Sequence, residues 1–257
     1  MPEKVIVSPD DVTEDAILGG RVIVHQPRVG FRVAIDSVFL PAAVPVRAGE
    51  TVLDIGTGVG GAALCLLHRV PGCKVVGLEL QPELAALARS NAERNGVAAS
   101  FEIVVGDVSD PQKRITQEIF FHVMMNPPYQ ESGHGQSPRS ISRAKSSVEG
   151  EVVLADWIAF AFRALKPKGT LTLIHRADRL QDVLVALKEN APGAGEIVVY
   201  PLWPESRGNP AIRAIVRARK GVATKLRLAS GLVLHQSDGS FTREADAVLR
   251  EGHALDL

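Results

Sequence analysis

The segment around Gly56 restricts the possible folds more than any other part of the sequence. Residues 51–61 read Thr-Val-Leu-Asp-Ile-Gly-Thr-Gly-Val-Gly-Gly, and the apolar run at 62–70 that follows is typical of a helix. A strand, a glycine loop and a helix in this order form the repeating unit of an open α/β sheet. Gly56, Gly58 and Gly61 also match the dinucleotide pattern G-x-G-x-x-G. The sequence therefore predicts an α/β fold with a ligand close to this loop.

Polar residues follow each of the next predicted strands. These strands cover 74–80, 101–105 and 119–125, and Pro82 begins a helix between the first two. With the first strand included, the strand ends carry Asp54, Glu79, Asp107 and Asn126. Open α/β sheets bind ligands at the carboxyl ends of their strands, so we expect these four side chains to surround one site.

Two of the acids are placed for a nucleoside. Glu79 lies about 20 residues beyond the glycine loop, which is the position of an acid that binds a ribose diol. Asp107 is placed to accept a hydrogen bond from an adenine amine at the same edge. The alternative for Asp107 is an ordinary turn at the end of a strand.

The fourth of these strands stops at Asn126-Pro127-Pro128-Tyr129. Two consecutive prolines remove two backbone donors and fix two φ angles, so neither a strand nor a helix continues through them. The Asn126 oxygen and a proline carbonyl provide two acceptors for a planar NH2 group, and the Tyr129 ring can stack on the group that carries it. The alternative is a rigid loop without chemistry.

The remaining predicted elements complete one α/β domain over 1–257, with 1–48 as an N-terminal extension and 49–257 as the core. Alternating runs at 21–26 and 31–35 predict a short β-hairpin, and Asp36 follows as a helix cap or as a site residue. Further strands are predicted at 170–175, 196–200 and 212–218, and helices at 38–44, 152–165, 180–189 and 241–250. This order predicts a seven-stranded, mostly parallel sheet with an antiparallel last strand and helices on both faces.

The composition is that of a globular protein without a strong charge bias. Lys plus Arg and Asp plus Glu each total 29, so only a local basic patch could bind nucleic acid. Two such patches are possible, the loop from Arg139 to Lys145 and the cluster from Arg213 to Arg227, although both can equally be solvated surface. The two cysteines form no metal motif and indicate a reducing cytoplasm. We expect no membrane segment and no metal, and the oligomeric state cannot be predicted from the sequence.

Taken together, these motifs resemble a class I S-adenosylmethionine-dependent methyltransferase with a Rossmann-like fold. Within that superfamily, the blocks at 26–38, 156–158, 174–180 and 211–221 are similar to those of the bacterial valine-tRNA adenine-N6 methyltransferases. The resemblance covers roughly residues 18 to 252. It implies S-adenosylmethionine as the cofactor and a tRNA anticodon loop as the substrate, with methylation at N6 of adenosine 37.

The resemblance also implies roles for individual residues. Asn126 and Pro127 would accept the two N6 protons, and Tyr129 would stack on the target base. The methionine half, the ribose and the adenine of the cofactor would be bound along the strand ends, and Asp36 would close over the amino-acid end. The implied cofactor-binding set is Asp36, Asp54, Gly56, Gly58, Glu79, Leu80, Asp107, Val108 and Asn126.

Three other functions are compatible with part of the pattern. The same Asn-Pro-Pro-Tyr turn serves protein-glutamine N5-methyltransferases that act on release factors, but those enzymes carry an N-terminal helical domain. An NAD-dependent dehydrogenase fits the glycine pattern and leaves the Asn126 turn unexplained. A non-catalytic RNA-binding module is the third alternative, and intact Asn126 and Tyr129 argue against it.

Overall fold

The computed structural model describes residues 11–30, 32–109, 115, 117–128, 153–205 and 208–257. Its strands are β1 (Val12–Ile17), β2 (Val22–Pro27), β3 (Thr51–Ile55), β4 (Lys74–Glu79), β5 (Phe101–Val105), β6 (Phe120–Met125), β7 (Leu165–Arg176), β8 (Ala194–Trp203), β9 (Arg213–Lys220), β10 (Arg227–Leu228) and β11 (Leu232–Val233). Its helices are α1 (Asp36–Ala42), α2 (Gly61–Arg69), α3 (Pro82–Arg94), α4 (Leu154–Ala164), α5 (Leu180–Asn190) and α6 (Arg243–Asp246).

One large sheet organises the described part of the chain. Its strand order is β10-β8-β9-β7-β6-β3-β4-β5, and β11 also pairs with β8. The strands β3 to β7 pair in parallel, whereas β9 is antiparallel to both β7 and β8. Seven of these strands are long and two are only two residues long. The predicted seven-stranded sheet with an antiparallel last strand is therefore confirmed, with β10 and β11 as additions at one edge.

Both faces of the sheet are covered, as the apolar strands require. Val52, Met124 and Ile174 belong to a buried cluster with α1 and α2, while the alternate residues Leu53, Val123 and Leu173 belong to a second cluster with α4 and α5. Side chains alternate between the faces of a strand, so consecutive apolar residues serve both clusters. Because helices cover both faces of the sheet, a ligand can bind at the carboxyl ends of the parallel strands.

The N-terminal hairpin exists, but the predicted pairing of its strands is wrong. β2 pairs with β1, which precedes it, in the register Val12↔Pro27 to Ile17↔Val22. Residues 32–35 form no strand, although they alternate in polarity. The Val33 N–H instead donates to Gln26 Oε1 at 2.7 Å, which holds this segment in a connection between β2 and α1.

Two asparagines, Asn91 within α3 and Asn95 directly after its last residue, attach this hairpin to α3. Asn95 exchanges two hydrogen bonds with the backbone of Ile23, and Asn91 does the same with His25. Their spacing of four residues places both side chains on the same side of α3. From there they bond to Ile23 and His25, which are two residues apart on β2. Asn91 also donates to the carbonyl of Val59 at 3.0 Å and is fully buried. Asn91 therefore connects the hairpin to the glycine loop, whereas the bonds of Asn95 reach only the hairpin and α3 itself.

Other boundaries differ in ways that have local causes. β7 begins at Leu165 rather than at Thr170, because Leu165 already pairs with Phe120 of β6. The register then shifts before Thr170, and Lys168 adopts a positive φ of 64° in this irregular stretch. α1 begins at Asp36, two residues before the predicted start, so Asp36 is inside the first turn and does not cap it. No helix of the described residues is long and apolar enough to cross a membrane.

Candidate functional site at the carboxyl edge of the sheet

The glycine loop after β3 has most of its backbone donors engaged within the protein. The N–H groups of Gly56 and Thr57 donate to the Leu78 carbonyl at 2.8 and 3.0 Å, and the Gly60 N–H donates to Thr57 at 2.9 Å. The Gly58 N–H donates to Oε2 of Glu79 at 2.8 Å. In dinucleotide-binding proteins, the N–H groups of such a loop bind the pyrophosphate. In this protein, these four N–H groups already donate to acceptors within the chain.

Two buried carboxylates lie beside this loop. Asp54 is 2% exposed and Glu79 is 5% exposed. Asp54 accepts a hydrogen bond of 2.6 Å from the Thr57 hydroxyl, and Oε1 of Glu79 accepts one of 2.9 Å from the Gln81 N–H. Each carboxylate oxygen has a second lone pair, so Glu79 can still accept from ligand hydroxyls.

Burial changes the acidity of both groups. Desolvation raises the pKa of Asp54 to about 7, against the opposing effect of the Thr57 hydroxyl and with a further contribution from the negative charge of Glu79. Desolvation also raises the pKa of Glu79, although the backbone donors at Gln81 and Gly58 act in the opposite direction. Two acids that resist ionisation in the free protein favour a ligand that brings positive charge and hydroxyl groups.

The carboxyl end of β5 lies beside Glu79 and adds Asp107 to the site. β4 and β5 pair as far as Glu79↔Val105, and the Gly106 N–H donates to the Glu79 carbonyl at 2.9 Å. Asp107 is half-buried and accepts from the Ser109 N–H at 2.8 Å, so it does form the turn that was its alternative interpretation. Its second oxygen keeps acceptor capacity. The neighbouring Val108 is buried, and Leu80 after β4 is 45% exposed.

Asn126 follows β6 directly and lies next to the glycine loop. β3 and β6 end at the paired residues Ile55 and Met125, so Gly56 and Asn126 are the first residues beyond two adjacent strands. Asn126 is half-buried, Pro127 is buried and Pro128 is exposed. Tyr129 lies outside the described residues, as does the loop from Arg139 to Lys145.

Asp36 reaches the same edge from the N-terminal extension. Its Oδ2 accepts from Nε of Arg213 at 3.0 Å, and the side chain is 8% exposed. Arg213 is the first residue of β9 and pairs across the sheet with Arg176 at the end of β7. The structure therefore brings Asp36, Asp54, Glu79, Asp107 and Asn126 to one edge of the molecule.

Close packing explains why glycine occurs at two positions of the loop. Gly56 has a φ of +70°, and a Cβ there would lie 2.7 Å from Cη2 of Trp157 and 3.0 Å from Cζ3. A Cβ at Gly61 would lie 2.8 Å from a methyl group of Val33. Sequence reasoning placed Trp157 inside a helix without a role. The signals for it were its place near the start of the helix that follows the Asn126 turn and the similarity of the block 156–158 to the methyltransferase family.

The basic cluster expected near β9 is largely used within the fold. Arg217 donates to the carbonyl of Leu257 at 2.7 Å, and Arg219 donates to the carbonyl of Lys168 at 2.8 Å. Lys220 donates to the carbonyls of Phe162 and Leu165 at 2.7 and 2.9 Å. Lys225 and Arg227 are exposed. Among the described residues there is no group of three His, Cys, Asp or Glu side chains that could hold a metal ion.

The comparisons with known proteins agree with this geometry. Fold and site together define a protein of the Rossmann-like methyltransferase class. Residues 31–190, more than half of the chain, match the family described as Methyltransferase small domain. The chain belongs to this family, and the resemblance inferred from its motifs is confirmed.

Relatives of known name are similar over much of the chain. A protein of Porphyromonas gingivalis strain W83 is 33% identical over 166 residues, which is 62% of this chain and 64% of that protein. A protein of Aeromonas hydrophila is 28% identical over 220 residues, 85% of this chain and 89% of its own length. Both are named tRNA1(Val) (adenine(37)-N6)-methyltransferase.

A solved structure shares the fold at lower sequence identity. The crystal structure of a predicted O-methyltransferase from Agrobacterium tumefaciens superposes with a TM-score of 0.70 at 24% identity. The superposition covers 86% of this chain and 98% of that one.

Proposed function

We propose that the protein is an S-adenosylmethionine-dependent methyltransferase that acts on N6 of an adenine in tRNA. The observation that carries the proposal is the pairing of a glycine loop flanked by two buried acids with the Asn126-Pro127 turn on the adjacent strand. The loop suits a cationic nucleoside rather than a pyrophosphate, because its amides are engaged and its neighbours are acidic. The turn suits a planar amine.

The residues at the strand ends fit S-adenosylmethionine in charge and in hydrogen-bonding capacity. Asp54 and the glycine loop would hold the methionine half, which carries an ammonium group and a sulfonium. Glu79 would accept from the ribose hydroxyls, Asp107 would accept from the adenine amine, and Val108 would contact the adenine ring. Bound here, the cofactor supplies a methyl group that is already a strong electrophile.

Asn126 and Pro127 would prepare the nucleophile. The N6 lone pair of adenine is delocalised into the ring, which makes this nitrogen a weak nucleophile. Hydrogen bonds from N6 to the Asn126 side-chain oxygen and to the Pro127 carbonyl favour a more tetrahedral nitrogen with an available lone pair. The same acceptors stabilise the positive charge that develops on N6, and one N6 proton then leaves to water. No general base is required in this scheme.

The substrate must present an unstacked adenine. A base inside a duplex cannot reach a turn at the end of a strand without being flipped out, whereas an anticodon loop presents unstacked bases. The names of the relatives support adenosine 37 of a valine tRNA as the target. We infer that the enzyme acts on this anticodon loop in the cytoplasm, with Tyr129 stacked on the base.

The test is a methylation assay on unmodified bulk tRNA with S-adenosylmethionine, followed by digestion to nucleosides and mass analysis. The expected product is N6-methyladenosine. Methylation of release-factor glutamine in place of tRNA would overturn the adenine assignment. Calorimetry that detects NAD binding and no binding of S-adenosylmethionine would overturn the cofactor.

A further inference from the structure

Trp157 touches the glycine loop where the strands β3 and β6 end side by side. The position of a Cβ on Gly56 is 2.7 Å from Cη2 of the indole, so the ring lies directly against the Gly56 backbone. Gly56 follows Ile55, and the register partner of Ile55 is Met125, which immediately precedes Asn126. The outer end of the indole is therefore placed at the junction of the glycine loop and the Asn126 turn.

The helix α4 holds this ring firmly. The next residue, Ile158, is fully buried in the cluster of the second sheet face, as are Phe160 and Ala161. The first turn of α4 is closed by a hydrogen bond of 3.1 Å from the Val153 N–H to the Asp156 carboxylate. Trp157 itself is half-buried and packs against that cluster. An indole that is held by the helix and half exposed can contact a ligand through its exposed part.

The opposite side of the loop has a corresponding contact. Val33, from the segment between β2 and α1, lies against Gly61 at the beginning of α2. The loop is thus confined between Val33 on one side and Trp157 on the other. Of these two contacts, the one made by Trp157 is at Gly56, next to Asn126, where the proposed function places the transfer of the methyl group from cofactor to base.

We propose that Trp157 lines the cofactor site and contacts the cofactor at the point of methyl transfer. The inference rests on the proposed function. The indole fixes the position of the Gly56 backbone. It also limits the space available to the methionine half of the cofactor. It also presents an aromatic surface to a positively charged sulfonium, an interaction that favours the cofactor over its neutral thioether product.

The chain contains two tryptophans, which allows a direct test by fluorescence. Trp203 ends β8, and its Nε1 donates to the Ser230 carbonyl at 3.1 Å. It is four strand positions from β3, about 19 Å at the usual spacing of ~4.8 Å. The variant Trp203→Phe therefore reports Trp157 alone, and Trp157→Phe reports Trp203 alone.

The experiment titrates both variants and the wild type with S-adenosylmethionine and follows the tryptophan emission, while calorimetry measures the dissociation constant. We expect the emission of the wild type and of Trp203→Phe to change on titration, with a midpoint that equals the dissociation constant from calorimetry. The emission of Trp157→Phe should stay constant. Phenylalanine is too short to reach Gly56, so Trp157→Phe should bind the cofactor about tenfold more weakly, the size of one lost aromatic contact. The ratio of cofactor to product affinity should fall in the same variant.

The outcomes separate the two proposals. Calorimetric binding without any emission change in Trp203→Phe would overturn the role of Trp157 and leave the proposed function intact. Unchanged affinity of Trp157→Phe for both cofactor and product would also overturn the role of Trp157 and leave the proposed function intact. A wild type that binds no S-adenosylmethionine at all would overturn the proposed function and the inference with it.

Discussion

Asp54 and Glu79 are the residues whose chemistry depends most on their surroundings. Both are nearly inaccessible to solvent, and neither has an ion-pair partner among the salt bridges of the described residues. Buried charges are normally paired, because their desolvation is otherwise uncompensated. The positively charged cofactor of the proposed function would provide this compensation.

The raised pKa of Asp54 predicts how stability depends on pH. Its pKa of about 7 in the folded protein exceeds the ordinary value of 3.8, so the folded state binds more protons than the unfolded state between these values. The free energy of unfolding should therefore fall as the pH rises from about 4 to about 7, by at most about 1.4 kcal/mol per unit from this group. Urea unfolding of the wild type and of Asp54→Asn at several pH values measures the effect. Parallel pH profiles for the two proteins would contradict the assignment.

Among the elements, those predicted best from sequence are short apolar strands that end at glycine or proline. β5 has the predicted bounds, and β6 begins one residue later than expected. The hairpin was wrongly paired because alternation in 31–35 is a local signal, whereas the structure uses this segment to reach Gly61. The contact of Trp157 with Gly56 joins positions about 100 residues apart in sequence, and no local pattern contains such information.

The attachment of the hairpin to α3 gives a prediction at this scale. Asn91→Ala removes hydrogen bonds to both backbone groups of His25 and to the Val59 carbonyl in a fully buried place. We expect a loss of about 3 kcal/mol in the free energy of unfolding, because buried partners are left unsatisfied. We also expect weaker cofactor binding, because Val59 belongs to the glycine loop.

Asn95→Ala is the matched control. It removes the corresponding bonds to Ile23 without any bond to the glycine loop. It should cost roughly 1 to 2 kcal/mol and leave cofactor affinity unchanged in calorimetry. Equal effects of both variants on cofactor affinity would show that Asn91 does not support the loop.

For the whole molecule, the order of the strands divides the carboxyl edge into two halves. β3, β4 and β5 carry Asp54, Glu79 and Asp107, whereas β7 ends at Arg176 and its antiparallel neighbour β9 begins at the paired residue Arg213. Asn126 on β6 lies between the two halves. We expect the phosphates of the proposed tRNA substrate on the side of these two arginines, although both also bind carboxylates and the overall charge of the protein is zero. Arg176 is the more exposed of the two arginines, and its side chain binds the carboxylate of Asp178 two residues later.

Salt dependence tests this division. Arg176→Gln should weaken tRNA binding and reduce the slope of log affinity against log salt by about one, as expected for one lost phosphate contact. Arg227→Gln removes the same charge on the remote strand β10 and should leave the slope unchanged. Filter binding at several salt concentrations provides both slopes. Identical slopes for the two variants would place the RNA elsewhere.

The variant Asn126→Ala separates the methyl-transfer step from cofactor binding, because Asn126 is proposed to bind the substrate amine and not to build the cofactor site. The rate of N6-methyladenosine formation in tRNA and the dissociation constant of S-adenosylmethionine should be measured on the same preparation. We expect the rate to fall by about two orders of magnitude or more, the size known for the loss of one hydrogen bond to a transition state, while the dissociation constant changes only a few-fold. A comparable loss of cofactor affinity, or an unchanged rate, would show that Asn126 does not bind the substrate amine in the transition state.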